Sequence, residues 1–143
     1  MSIEVKNLTK VFDTQIAVND ISFTAQRGEI IGFLGPNGAG KSTTMKILTS
    51  YIPPTSGEVK VCGFDVVQNA IRSRQNIGYL PEHNPLYLDM YVHEYLHFIG
   101  SLHIASKRFL RERVPEMIEM CGLTKEQNKL IGALSKGYRQ RVG

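Results

Sequence analysis

Cysteine is scarce in this 143-residue sequence: there are only two, Cys62 and Cys121, and they form no C-x-x-C or other metal-ligand spacing. A cysteine-built metal site is excluded, and free buried thiols are expected. Long apolar runs are also lacking. The longest is Ile30 to Leu34 with Gly32 inside it, against the roughly 20 residues that span a bilayer, so no membrane-crossing helix is expected. The opening Met1-Ser2-Ile3-Glu4-Val5-Lys6 has neither the basic nor the apolar region of a secretory signal, so a cytoplasmic chain is expected. With 42% hydrophobic and 21% charged residues, the composition is that of one globular domain of ordinary size. The net charge of +4 is uneven: residues 101 to 143 carry nine basic side chains against four acids, while the rest is near neutral. That basic third has no interleaved aromatics, which favours a solvated helical face over a nucleic-acid surface.

What is present centres on Gly35-Pro36-Asn37-Gly38-Ala39-Gly40-Lys41-Ser42-Thr43, which matches the phosphate-binding pattern G-x-x-x-x-G-K-[ST] at every fixed position. An apolar run of strand type, Glu29 to Leu34, precedes it, and Thr44 to Ser50 reads as helix. Glycines let a backbone wrap round a phosphate chain, and the helix start adds its positive dipole end. Lys41 is expected to reach the β- and γ-phosphates, and the Ser42 hydroxyl to complete the shell of a bridging Mg²⁺. A glycine turn that only joins a strand to a helix would not need all four constrained positions.

Taken in order, Ile3 to Leu8 alternates as a half-buried strand, Phe12 and Asp13 fall in a turn, and Ala17 to Thr24 forms a second strand. These first strands are expected to make an antiparallel layer beside the loop. Pro53 to Gly57 is a break, Glu58 to Gly63 a short strand, Val66 to Ser73 a short helix, and Ile77 to Leu80 a brief strand ended by Pro81. The period then changes. Val92, Tyr95, Leu96, Ile99 and Leu102 mark an amphipathic helix, and Leu110, Val114, Met117, Ile118 and Cys121 a second one. Pro115 should kink that helix or begin it, and Gly122 should cap it. The division expected is a partial nucleotide-binding core over 1–88 and a helical subdomain over 89–143.

His93-Glu94-Tyr95-Leu96-His97 matches the zinc-protease pattern H-E-x-x-H. At about 100° per residue, both histidines lie roughly 110 to 150° from the centre of the apolar face and should point into water. His83 and His103 offer no third ligand at a suggestive spacing, so zinc catalysis is set aside.

Leu134-Ser135-Lys136-Gly137-Tyr138-Arg139-Gln140-Arg141-Val142 resembles the signature motif of ABC ATPases, L-S-G-G-Q followed by a basic helix start. Lys136 replaces a glycine and Tyr138 the glutamine, while Leu134, Ser135, Gly137, Gln140 and Arg141 stand as in the family. Phe12 occupies the place of the family's adenine-stacking aromatic, such stacking being worth about 1–3 kcal/mol; this is favoured over a partly exposed turn aromatic because Phe keeps the ring face and lacks only the hydroxyl of the commoner Tyr. Ile77 to Glu82 looks like the Q-loop with Glu82 in place of Gln, and a carboxylate can also ligate Mg²⁺. The combination of Glu82, Lys136 and Tyr138 looks most like the ATPase subunits of bacterial ABC-2-type exporters, including the gliding-motility ABC transporter subunit.

The resemblance implies an α/β fold: a P-loop NTPase core of the RecA-like ABC ATPase kind, an N-terminal antiparallel β layer and a helical subdomain. It implies ATP and Mg²⁺ as ligands. Phe12, Gly35 to Thr43, Ser135, Lys136 and Gly137 would bind nucleotide, Lys41 and Glu82 would act in catalysis, and Ser42 and Glu82 would hold the metal. Its implied partners are a second ATPase subunit, dimerised head to tail so that Ser135 faces the other subunit's γ-phosphate, and a membrane-spanning permease subunit; no direct nucleic-acid partner is implied. The place implied is the cytoplasm, peripheral at the inner face of the cell membrane. The family's Walker B Asp and catalytic Glu come after the signature, and the sequence stops at Gly143, so an N-terminal part of an ATPase domain, incompetent for hydrolysis by itself, is expected. A non-transport ABC-type ATPase acting on nucleic acid or the ribosome is the alternative, and a GTPase or small-molecule kinase would lack Leu134 to Arg141.

Overall fold

The computed structural model describes residues 2–103 and 106–143. Its first strand, β1 (Ile3–Phe12), runs on to Phe12 and pairs antiparallel with β2 (Gln15–Ala25) across a turn at Asp13 and Thr14. Phe12 thus ends a strand, opposite Gln15, where a turn position was expected. Strict alternation would send Val5 and Leu8 to opposite faces. A bulge at Asn7, with φ +48°, shifts the register between them, and both are buried. β3 (Ser56–Val61) pairs antiparallel with the other side of β1, and β4 (Phe64–Asp65) with β3, giving the order β2-β1-β3-β4. The expected antiparallel layer is therefore formed.

Cys62 and Gly63 make the two-residue turn between β3 and β4 with φ of +50° and +81°. A hairpin tip faces solvent, so Cys62 is exposed, and Cys121, just past the end of a helix, is exposed too; the expectation of buried thiols was wrong for both.

Helix α1 (Lys41–Leu48) starts three residues earlier than the sequence pattern suggested and lays Ile47 and Leu48 on the sheet core of Val5, Leu8, Val18, Val59, Val61 and Val66. Burying one such side chain contributes about 1.5–3 kcal/mol, so α1 is held by the sheet more than by its own eight residues. α2 (Ala70–Arg74) is shorter and later than the helix expected from Val66, because Val66 is in the core. The Asp65 carboxylate also accepts the N–H groups of Val67 and Gln68 at 2.8 Å each and holds a turn ahead of the helix.

Two expected strands do not form. Glu29 to Leu34 and Ile77 to Leu80 are irregular, and Ile30 and Leu34 are essentially fully exposed. An apolar run becomes a strand only when a neighbouring strand takes its backbone hydrogen bonds, and among the described residues none lies beside either segment. Phe33 packs on Phe23 with ring centroids 5.3 Å apart, and Ile77 packs against the sheet core.

The chain divides into two compact units, one up to Tyr79 and the other Leu80–Gly143. The division falls ahead of the expected boundary at residue 88, since Leu86 and Met90 pack against the core of the second unit. That core joins α3 (Val92–His103), α4 (Lys107–Met120) and α5 (Lys136–Val142) through Val92, Tyr95, Val114, Ile118, Leu123 and Val142, with Ile131 from a 3₁₀ turn, Ile131–Ala133. Pro115 lies inside α4 without ending it, between the buried Val114 and Ile118. Ser106 caps the start of α4, accepting the Phe109 N–H at 3.3 Å. At its end Gly122, φ +64°, donates to the Glu119 carbonyl at 2.9 Å and Leu123 to that of Ile118 at 2.8 Å. This is the glycine C-cap the sequence predicted, sealed by the buried Leu123.

Candidate functional site

In the first unit the loop Gly35 to Gly40 is bound tightly to β2 at one point. Gly40 has φ +79°, and a Cβ there would run into the Ala17 carbonyl oxygen and meet Val18 Cγ2 at 3.0 Å. No side chain fits, so Gly40 is required both by conformation and by space. Gly38, φ +83°, has nothing within 4 Å of a built Cβ; there only the backbone conformation asks for glycine. Thr44 fastens the far side of the turn: its N–H and its hydroxyl both donate to the Gly40 carbonyl, at 2.8 and 3.0 Å, and the residue is buried.

The result is a helix start with nothing of its own to satisfy it. Among the described residues no side chain caps α1, and the N–H groups of a helix's first turn have no intrahelical acceptor. Lys41 Nζ donates to the carbonyls of Gly35 and Pro36 at 2.6 Å each, which folds the ammonium back over the loop. No described carboxylate is within ion-pair distance of it. A concave run of backbone, unsatisfied donors and a cation held only by neutral carbonyls is the donor set that a phosphate chain fits. Ser42 is exposed on that first turn. Beside the loop a cleft of about 390 Å³ is lined by Ile16, Ala17, Val18, Phe23, Phe33, Gly38, Ala39 and Thr44. Phe12 stands at the end of β1, 45% exposed, with Lys10 Nζ 5.0 Å from its ring centroid.

The second unit gathers the other sequence-predicted residues. Ser135 is the N-cap of α5 and accepts the Tyr138 N–H at 3.4 Å. Ser135, Gly137, Tyr138 and Arg141 line a shallow depression of about 230 Å³. Lys136 Nζ lies 3.8 Å from Glu82 Oε1, and the Gln140 amide donates to the Glu82 carbonyl. Two residues that depart from the signature and Q-loop patterns thus face each other, in a pair exposed enough to contribute little stability. Ser42 and Glu82, both assigned to the metal, fall in different units.

Arg139 lies within the signature-like motif, where residue type alone marks it only as a basic side chain. Its guanidinium donates to the carbonyls of Leu134 at 2.9 Å and Gly132 at 3.0 Å, so it ties α5 to the turn that carries Ser135. Ala17, likewise unremarked in the sequence, sets how close the loop can come to β2; only the pairing of remote segments reveals it. His93 and His97 are half-buried rather than in water, and at His93 the loop carrying Gln127 covers the helix, with Nδ1 2.9 Å from the Gln127 carbonyl. Among the described residues no cluster of three metal-ligating side chains occurs.

Known proteins bear on this geometry. The family model described as "ABC transporter" matches residues 18–143. The chain is 37% identical over 140 residues to the probable multidrug ABC transporter ATP-binding protein YbhF of Escherichia coli strain K12, covering 98% of this chain and 24% of that protein. It is 38% identical over 141 residues to the uncharacterised ABC transporter ATP-binding protein YxlF of Bacillus subtilis strain 168, covering 99% and 46%. The chain therefore spans between about a quarter and a half of the length of these curated relatives.

Among solved structures, an ATP-binding subunit of an ABC transporter superposes with a TM-score of 0.84 at 28% identity, over 99% of this chain and 59% of that one. A dimeric ATP-binding cassette, MJ0796, bound to ADP and Pi, superposes with a TM-score of 0.84 at 25% identity, over 98% and 66%. The likeness in sequence and in fold runs through both the glycine loop and the α5 turn, and the chain belongs to the ABC transporter ATP-binding family.

Proposed function

We propose that the chain binds ATP with Mg²⁺ at Gly35 to Thr43, as part of an ATP-binding subunit that couples nucleotide binding and hydrolysis to transport through separate membrane subunits. One observation carries the reading: the uncapped start of α1, pressed against β2 at Gly40, with the Lys41 ammonium on neutral carbonyls. A triphosphate entering the loop would draw that ammonium from the Gly35 and Pro36 carbonyls to a charged partner, and charge-assisted bonds are roughly twice as strong as neutral ones. Phe12 stacks on the base, and Ser42 serves the metal. Bound Mg²⁺ would supply charge neutralisation across the β- and γ-phosphates.

Ser135, Lys136 and Gly137 serve a nucleotide held by a second ATPase subunit in a head-to-tail dimer. Two solved relatives support this reading: cbiO1 is part of the ABC transporter complex cbiONQ, and MJ0796 was captured as a dimer. The setting proposed is cytoplasmic, peripheral to the membrane through a permease partner, and the subgroup that of ABC-2-type exporters, which takes in gliding-motility subunits. No described helix is long and apolar enough to cross a membrane. The basic side chains of the second unit favour this reading over a nucleic-acid partner. Arg108, Arg113 and Lys129 are paired with Glu112, Glu116 and Glu126, and Arg139 is taken up by carbonyls.

The test is an equilibrium titration with a fluorescent ATP analogue, with and without Mg²⁺. Competition by unlabelled ATP, and an affinity at least about tenfold lower for Lys41→Ala at unchanged thermal stability, is the expected result; tenfold corresponds to about 1.4 kcal/mol. Equal affinity in that variant would remove the phosphate cradle from the proposal.

A further inference from the structure

Lys10 and Phe12 are two apart on β1, so their side chains share one face of the strand. The Lys10 ammonium lies over the Phe12 ring, 5.0 Å from its centroid, and donates to the Pro53 carbonyl at 2.9 Å. Pro53 belongs to the segment after α1, and that segment is itself sewn to the end of β1. The Thr55 N–H donates to the Thr9 carbonyl at 2.9 Å, and the Val11 N–H donates to the Thr55 hydroxyl at 3.0 Å. Lys10 is half-buried, whereas Phe12 is exposed. An exposed aromatic at a strand end would otherwise be free to turn about its side-chain torsions. Here a cation anchored elsewhere holds one face of the ring.

We propose that Lys10 is a positioning residue for the nucleotide base: anchored on the Pro53 carbonyl, it braces one face of the Phe12 ring and leaves the other for a purine. The proposal rests on the reading that Phe12 stacks on the base. The brace acts in two ways. It removes ring orientations that would have to be given up on binding, and such pre-organisation raises affinity without a new contact. It also draws π-electron density toward the cation, which makes the opposite face less negative and a better partner for an electron-rich base. Neither effect reaches the phosphates, which Gly35 to Thr43 contact independently.

The experiment compares MgATP with inorganic tripolyphosphate, which has the phosphates and no base, as competitors of a fluorescent ATP analogue on the whole chain. Lys10→Met keeps the aliphatic stem and removes the charge, Lys10→Arg restores a cation that also stacks on a ring, and Phe12→Ala removes the platform. Lys10→Met should weaken ATP binding about two- to fivefold, the range of an exposed cation–π contact, and leave tripolyphosphate unchanged. Lys10→Arg should recover most of the loss. Phe12→Ala should weaken ATP more than Lys10→Met does, again sparing tripolyphosphate. Undiminished ATP affinity in Lys10→Met, or an equal loss for both ligands, overturns the brace while Phe12→Ala still shows stacking. Undiminished ATP affinity in Phe12→Ala overturns the stacking reading itself, and the brace with it.

Discussion

Gly40→Ala measures how much of the loop is held by its contact with β2. An alanine at φ +79° is in the left-handed region, which costs an L-residue about 1–2 kcal/mol. Its Cβ would also press on the Ala17 carbonyl oxygen and on Val18 Cγ2 at 3.0 Å, and neither is the far end of a flexible side chain. Overpacking of that sort costs about 1–3 kcal/mol, because backbone has to move. The smaller unfolded-state entropy of alanine returns about 0.4–1 kcal/mol, leaving a net loss of about 1–4.5 kcal/mol. Gly38→Ala is the control, with φ +83° and nothing within 4 Å of the new Cβ. It carries the conformational cost without the clash, for a net loss of about 0–1.5 kcal/mol. Urea denaturation followed by circular dichroism, with both slopes compared to wild type, reads the difference. Equal losses in the two variants would refute the claim that contact with β2, and not loop conformation alone, demands glycine at 40.

Arg139→Met removes the donors to the Leu134 and Gly132 carbonyls; hydrogen bonds to charged groups contribute about 1.5–3 kcal/mol when well buried, and in this half-buried setting a loss of about 1–2 kcal/mol is expected in chemical denaturation, with no loss meaning that α5 does not depend on the clamp. Burial, and then the neighbouring Tyr87, push the Tyr95 hydroxyl above its ordinary value of 10.0. The native state thus holds this proton more tightly than the unfolded chain, so the contribution is complete below about pH 10 and is lost as pH rises through the raised value. Tyr95→Phe should flatten the fall in stability above that pH, and an unchanged alkaline profile would count against it.

Much of the site could be read directly from residue order. Gly35 to Thr43 is legible from local chain, since spacing puts glycines, lysine and hydroxyls on one turn, although the helix that follows is held by the sheet. The C-cap at Gly122 is local in the same sense. Other features were illegible for equally physical reasons. The apolar runs Glu29 to Leu34 and Ile77 to Leu80 look like strands, yet a strand is a property of two segments, and their backbone finds no neighbour among the described residues. Phe12 was placed in a turn because nothing in Val11 to Thr14 reveals that β1 keeps its pairing as far as Gln15. The bulge at Asn7, which lets Val5 and Leu8 share one core, breaks the very period by which strands are recognised.

Sequence alone therefore determined the chemistry of the loop and the family to which its two motifs belong, since both rest on residue identity at fixed short spacing. Tertiary structure decided which glycine is indispensable, what Lys10 and Arg139 hold, and where Glu82 finds its partner in Lys136. Gly40 against Ala17, Lys10 on Pro53 and Glu82 beside Lys136 each bring atoms within a few ångströms from positions far apart in the chain, and the reach of Arg139 to Leu134 and Gly132 depends on how the turn before α5 folds; such meetings are set by packing rather than by spacing.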